Sequence, residues 1–242
     1  MTQAVGPLLG REQDLAKLDA LVRAGNVVVL YGPVGVGKTV LLHALARRAR
    51  QRGIPCGLVR RTAALSDFTQ ALMHAYPRVA TEGTQRQLRG RLRMAVERRP
   101  GLLLFDDLGR TGTAFKGAIR SVRGTGLGVL FAADVDEPRD HDRIRALGLS
   151  FHEIELRPLH GNSMRALLQS LLDDRVLAGT VTPEHLRALV AATNGLPGRA
   201  VDFADALVDA AAWRGGAPRI EWLRTGAVIR AAERYRQPVE LV

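Results

Sequence analysis

The sequence predicts an α/β fold: a doubly wound parallel sheet over residues 1–158, followed by a small all-helical lid domain over residues 159–242. Three observations carry this. Short apolar strands alternate with amphipathic helices as far as Leu156. After Pro158 only helical patterns recur. Between the first strand and the next helix stands Gly32-Pro33-Val34-Gly35-Val36-Gly37-Lys38-Thr39, which matches G-x-x-x-x-G-K-[ST].

The elements follow in order. Gly10 to Ala24 is an amphipathic helix, with Leu15, Leu18 and Leu21/Val22 at helical spacing. Val27 to Tyr31 is an apolar β-branched run, the mark of a buried parallel strand. Lys38 to Gln51 is a helix, and Ile54 to Arg60 the second strand. A helix from Leu65 to Tyr76 stops near Pro77. Gln85 to Arg99 is helical, with Leu88, Leu92 and Val96 on one face, and Pro100-Gly101 opens the strand Leu102 to Phe105. Thr113 to Arg123 is a helix closed by Gly124, and Gly128 to Ala133 the next strand. A short helix ends near Leu147, and Phe151 to Leu156 alternates as the last strand. The lid is read as helices over Asn162–Leu177, Thr182–Thr193, Gly198–Trp213 and Ile220–Arg236. Thr182-Pro183-Glu184 suits a helix start.

Composition narrows the function classes. Apolar residues make up 46% of 242, enough for a real core. The single cysteine, Cys56, rules out an intrachain disulfide and fits a cytoplasmic protein. No apolar run approaches the ~18 residues of a membrane span, and the start lacks a basic region before an apolar stretch. Net charge is +11, which suits a polyanionic partner such as DNA or RNA. Nearly all of it is arginine, the lysines being Lys17, Lys38 and Lys116, so coding bias is the competing explanation. No histidine pair has H-E-x-x-H spacing.

The loop from Gly32 to Thr39 fixes the ligand class. Its glycines let backbone N–H groups converge on phosphate oxygens, with the following helix presenting its positive end. Lys38 supplies a point charge for β- and γ-phosphates, and the Thr39 hydroxyl can hold Mg²⁺. Leu102-Leu103-Leu104-Phe105 ends in Asp106 and Asp107. Asp106 has the position of a Mg²⁺ carboxylate. Asp107, on the opposite side of the strand, has that of a base orienting water.

These residues resemble an AAA+ ATPase, and within that group the clade of replication initiators and transposition regulators. The resemblance rests on Leu8-Leu9-Gly10-Arg11-Glu12 as the entry motif against adenine, GPVGVGKT as Walker A, LLLFDD as Walker B, and Asn194-Gly195-Leu196-Pro197-Gly198-Arg199 as the lid motif. It implies ATP and Mg²⁺ as ligands. It implies contacts to nucleotide from Leu9, Gly10, Arg11, the loop Gly32, Pro33, Val34, Gly35, Val36, Gly37, Lys38 and Thr39, then Val40 and Pro197. Arg199 takes the place of the lid arginine that touches the γ-phosphate. Asp134 takes that of sensor 1, where the family has Asn, Ser or Thr; ionised Asp cannot donate a hydrogen bond. Asp107 replaces the family's catalytic Glu and is one methylene shorter. Both departures point to slow hydrolysis.

Arginine fingers act in trans, so the resemblance implies a homo-oligomer, ring or filament. Arg143 and Arg145 precede the last strand, where the finger belongs; Arg139 is a third candidate. Lys116, Arg120 and Arg123 share one helical face, and Arg86, Arg89 and Arg93 another. Such edges suit sequence-tolerant contacts to DNA phosphates, and solvated helix faces are their plainer explanation. No winged helix fits after the lid, which favours a minimal ATPase that recruits a partner protein such as a transposase. The alternatives are a STAND-type signalling switch ATPase, which usually carries long sensor repeats, and an accessory ATPase of a secretion complex.

Overall fold

Among the described residues, five parallel strands form one sheet, in the order Cys56–Val59, Leu102–Asp106, Gly128–Asp134, Val27–Gly32, His152–Glu155. The computed structural model describes residues 8–60, 65–107, 113–122, 124–135, 142, 145, 146, 148 and 150–236. Its strands are β1 (Val27–Gly32), β2 (Cys56–Val59), β3 (Leu102–Asp106), β4 (Gly128–Asp134) and β5 (His152–Glu155). The described helices of this part of the chain are α1 (Glu12–Arg23), which precedes β1, then α2 (Lys38–Gln51), α3 (Leu65–Ala75), α4 (Gln85–Arg98) and α5 (Thr113–Ser121).

Burial explains why these segments are strands. Apart from Tyr31, every residue of β1 is buried, as a central parallel strand requires. Val29, Leu103, Phe105, Val129 and Phe131 share one face of the sheet with the buried sides of α3, α4 and α5. The alternate residues Val28, Leu30, Leu104 and Leu130 are fully buried on the other face, where α1 and α2 meet the strands. Phe105 stacks on Phe131 with centroids 5.1 Å apart, and Phe115 meets both edge-on. Leu88, Leu92 and Val96 bury the expected stripe of α4, and Thr84 and Gln87 close a capping box at its start.

The chain divides into two compact units, the second comprising residues 7–10, 34–37 and 157–242. This unit contains α6 (Gly161–Asp173), α7 (Pro183–Ala192), α8 (Pro197–Ala206) and α9 (Ile220–Arg236). Its core gathers Leu168, Leu189, Phe203, Leu207 and Leu223. Thr182 caps α7 with Pro183 in the first turn.

The helix expected over Gly198–Trp213 is shorter. It stops at Ala206 and gives way to a 3-10 turn (Ala210–Ala212) and a two-stranded hairpin, β6 (Trp213–Arg214) with β7 (Ala217–Pro218). Gly215 and Gly216 both have positive φ, 58° and 79°, which is what a two-residue type I′ turn demands. Among the described residues, the regular structure of the second unit is therefore helical apart from this hairpin.

Candidate nucleotide site

The strand order brings three acids near one lysine. β4 lies between β3 and β1, and the register pairs Gly32 with Asp134 and Asp106 with Ala132. All three strands end at the same edge, so Asp106, Asp107 and Asp134 lie beside the loop that leaves β1.

Lys38, the first residue of α2, is only 7% exposed. Its ammonium donates to the carbonyls of Gly32 (2.6 Å) and Pro33 (2.9 Å) and pairs with Asp134 Oδ1 at 2.6 Å. The Thr39 hydroxyl donates to Asp106 Oδ1 at 3.0 Å. Burial pushes the Asp106 carboxyl up to about 6; the Thr39 hydrogen bond and Lys38 oppose this, and Asp134 and Asp107 add to it. Asp107 is exposed, with φ of 98°, a left-handed conformation that Asp tolerates better than most residues. It therefore stands in a bend beyond β3 and not within the strand.

These residues suit a magnesium triphosphate. Gly35 and Gly37 have φ of 79° and 107°, the left-handed backbone a phosphate-binding loop uses. The first turn of α2 contains no acidic side chain, so its positive end is left for an anion. Thr39 and Asp106 offer hard oxygens, the donors Mg²⁺ prefers. Among the described residues no group of three or more His, Cys, Asp or Glu is arranged to hold a metal. A cation at Thr39 and Asp106 would thus complete its shell with phosphate oxygens and water, the usual Mg²⁺ arrangement.

In the second unit, Gly198 N–H donates to Gly35 O at 2.8 Å. A Cβ on Gly198 would stand 2.9 Å from Gly35 Cα. Pro197 opens α8, and its Cγ is the nearest atom, at 4.0 Å, to a Cβ built on Gly37. Arg199 lies on the first turn of α8, half-buried. With its amide turned to donate to Ala191 O, Asn194 accepts from Arg199 Nη1 at 3.0 Å. Leu9 packs against this unit's core, and a Cβ on Gly10 would strike Ser163. Val36 is buried and Val34 half-buried, whereas Val40 is 39% exposed. In the first unit Arg11 is buried at the start of α1 and pairs with Asp14 at 3.1 Å.

The remaining candidates are more scattered. Arg145 is exposed; Arg143 and Arg123 lie outside the described residues, as do Arg139 and Leu147. On α5, Lys116 is half-buried and Arg120 donates to Gly148 O at 3.1 Å. On α4, Arg86 is exposed, Arg89 donates to Gln85 O at 3.2 Å, and Arg93 pairs with Glu97 at 2.9 Å. Two contacts escape a reading of the sequence: the Lys38–Asp134 pair and the Gly35–Gly198 bond. The first has a signal in hindsight, an acid at the end of a strand adjacent to β1.

The family model for the AAA ATPase domain matches residues 7–183. The chain belongs to the AAA ATPase family. No curated protein sequence matches this AAA ATPase. Solved structures with its fold include the ADP form of the Aeropyrum pernix ORC2 protein (15% identity, TM-score 0.63, 94% of this chain and 71% of that one). The Walker-type ATPase PABY2304 of Pyrococcus abyssi is similar (14%, 0.58, 94% and 72%). So is AMPPCP-bound DnaA from Aquifex aeolicus (21%, 0.53, 85% and 63%). These likenesses show the fold. Among the described residues no helix is long and apolar enough to cross a membrane.

Proposed function

We propose that this AAA ATPase is a slow, ATP–Mg²⁺-dependent switch that assembles on DNA and regulates a transposase or a similar DNA-acting machine. The observation that carries the nucleotide part is the constellation of Lys38, Thr39 and Asp106 at the end of a central parallel sheet. The structures of ORC2 with ADP and of DnaA with AMPPCP support the same ligand class.

Lys38 neutralises the β- and γ-phosphates, and Thr39 and Asp106 hold the cation. Bound Mg²⁺ supplies charge neutralisation for the departing diphosphate. Asp107 orients the attacking water, and Arg199 contacts the γ-phosphate. Arg145 or Arg143 of a neighbouring copy completes the site in trans. Two features support slowness: Asp107 is shorter than the family's Glu, and Asp134 carries charge where the family places a hydrogen-bond donor. Arg86, Arg89 and Arg93, with Lys116, Arg120 and Arg123, contact DNA phosphates without reading bases. The net charge of +11 supports a polyanionic partner.

The test is light scattering and electron microscopy with a slowly hydrolysed ATP analogue and duplex DNA. Rings or filaments that need both ligands are expected. A protein that stays monomeric with both overturns the assembly reading and favours the signalling switch.

A further inference from the structure

Lys38 makes three polar contacts within the protein itself. An ammonium has three N–H donors, and here they meet Gly32 O (2.6 Å), Pro33 O (2.9 Å) and Asp134 Oδ1 (2.6 Å). A phosphate oxygen that takes Lys38 must displace one of these. Two are backbone carbonyls of the loop itself, set by the turn out of β1, and the Gly32 carbonyl also receives Val135 N–H at 3.3 Å. Asp134 is the partner that stands on a rotatable side chain, and that side chain is 36% exposed, so water can receive it.

The exchange does not remove the acid from the neighbourhood. The strand register pairs Asp134 with Gly32, the first residue of the loop, so its Cα cannot retreat. A carboxylate released from Lys38 stays beside the incoming phosphates and beside Asp106 and Asp107. Repulsion grows with the negative charge delivered, so a triphosphate pays more than a diphosphate.

We propose that Asp134 is an intramolecular competitor for Lys38, a specificity-determining residue that weakens triphosphate binding more than diphosphate binding. The inference rests on the nucleotide-binding reading and deepens it. A hydrogen-bond donor at this position would only assist the phosphates. An acid makes occupancy depend on displacing an ion pair, which raises the ATP concentration at which the site fills.

The experiment measures Kd for ATP–Mg²⁺ and ADP–Mg²⁺ by calorimetry on the full chain and its Asp134→Asn and Asp134→Ser variants. Thermal unfolding without nucleotide accompanies it. Asp134→Asn and Asp134→Ser are expected to bind ATP roughly tenfold more tightly, the gain being larger for ATP than for ADP. Without nucleotide both unfold at lower temperature, since the ion pair is gone. Unchanged or weaker ATP binding in both single variants overturns the proposal, as does an equal gain for ATP and ADP. Failure of the unaltered protein to bind either nucleotide defeats the nucleotide reading itself, whatever the variants do.

Discussion

Gly198→Ala tests how tightly the phosphate loop is held. Gly198 N–H donates to Gly35 O at 2.8 Å, and a methyl group at position 198 would lie 2.9 Å from Gly35 Cα and 3.2 Å from Gly35 O. Ordinary carbon contacts begin at about 3.4–4 Å, so the backbone at Gly35 has to retreat by roughly 0.5 Å. Neither obstacle is the end of a flexible side chain that could swing away. Overpacking of this kind costs ~1–3 kcal/mol, and stretching the 198–35 bond forfeits up to ~1 kcal/mol more. Because the displaced residue lies in the phosphate loop, much of the cost should fall on nucleotide binding: about 1.4 kcal/mol is a tenfold loss. Fluorescent ADP titration reads the affinity, and circular dichroism checks that the helices remain. A variant that keeps its helices and binds within twofold of the unaltered protein would refute the idea that the loop's shape depends on this contact.

A steric substitution remote from the loop should act on stability alone. At Gly57 in β2 an added Cβ would meet Ala71 O at 2.0 Å, so Gly57→Ala should destabilise by several kcal/mol or prevent folding, read as a fall in the urea midpoint. Burial pushes the Cys56 thiol up to about 11, against an opposing Arg50. It should therefore resist iodoacetamide at pH 8 in native protein and react once urea is added, as followed by mass spectrometry. The Tyr76 hydroxyl, which donates to Arg99 O at 2.7 Å, is pushed up to about 12 by burial. Both groups hold their protons more tightly folded than unfolded. Their contribution is whole below pH 9 for Cys56 and below pH 10 for Tyr76, and drains away toward pH 11 and 12. Cys56→Ala should flatten the fall in unfolding free energy between pH 9 and 11, measured by urea titration at each pH; an unaltered slope would contradict a buried, protonated thiol.

Much of the fold was legible because local chemistry and tertiary demand agree. The bounds of α2 and α9 match the expected helices residue for residue, and α4 differs by one residue at its end. For α4 the reason is plain: Thr84 and Gln87 close its start, and Pro100 prevents continuation. The lid's middle was misread because alanines over residues 210–212 favour helix, while Gly215-Gly216 imposes a turn that outweighs them. Cys56 is in a strand as expected, but β2 is shorter than the apolar run suggested.

The site was legible in part. Motif spacing picks out Lys38, Thr39 and Asp106 as candidates, because phosphate chemistry calls for those residue types there, and Thr39 and Asp106 do meet in a hydrogen bond. It does not tell that Asp134 reaches Lys38. That depends on β4 lying next to β1 and on the register between them, which are long-range facts. The basic edges illustrate the opposite difficulty. Helical spacing gathers Arg89 and Arg93 correctly on one exposed face, yet their guanidinium groups bond to their own helix, at Gln85 and Glu97. Phosphate contact would have to displace these partners.

The two tryptophans of the chain, Trp213 and Trp222, both belong to the second unit. Trp213 donates its indole N–H to Leu207 O at 3.0 Å, and Trp222 sits 5.9 Å beneath the Arg219 guanidinium. Emission excited at the red edge of the ultraviolet band is consequently a private reporter of the lid, silent about the sheet. A stopped-flow trace of that glow would time the lid's response to ligand with no dye attached.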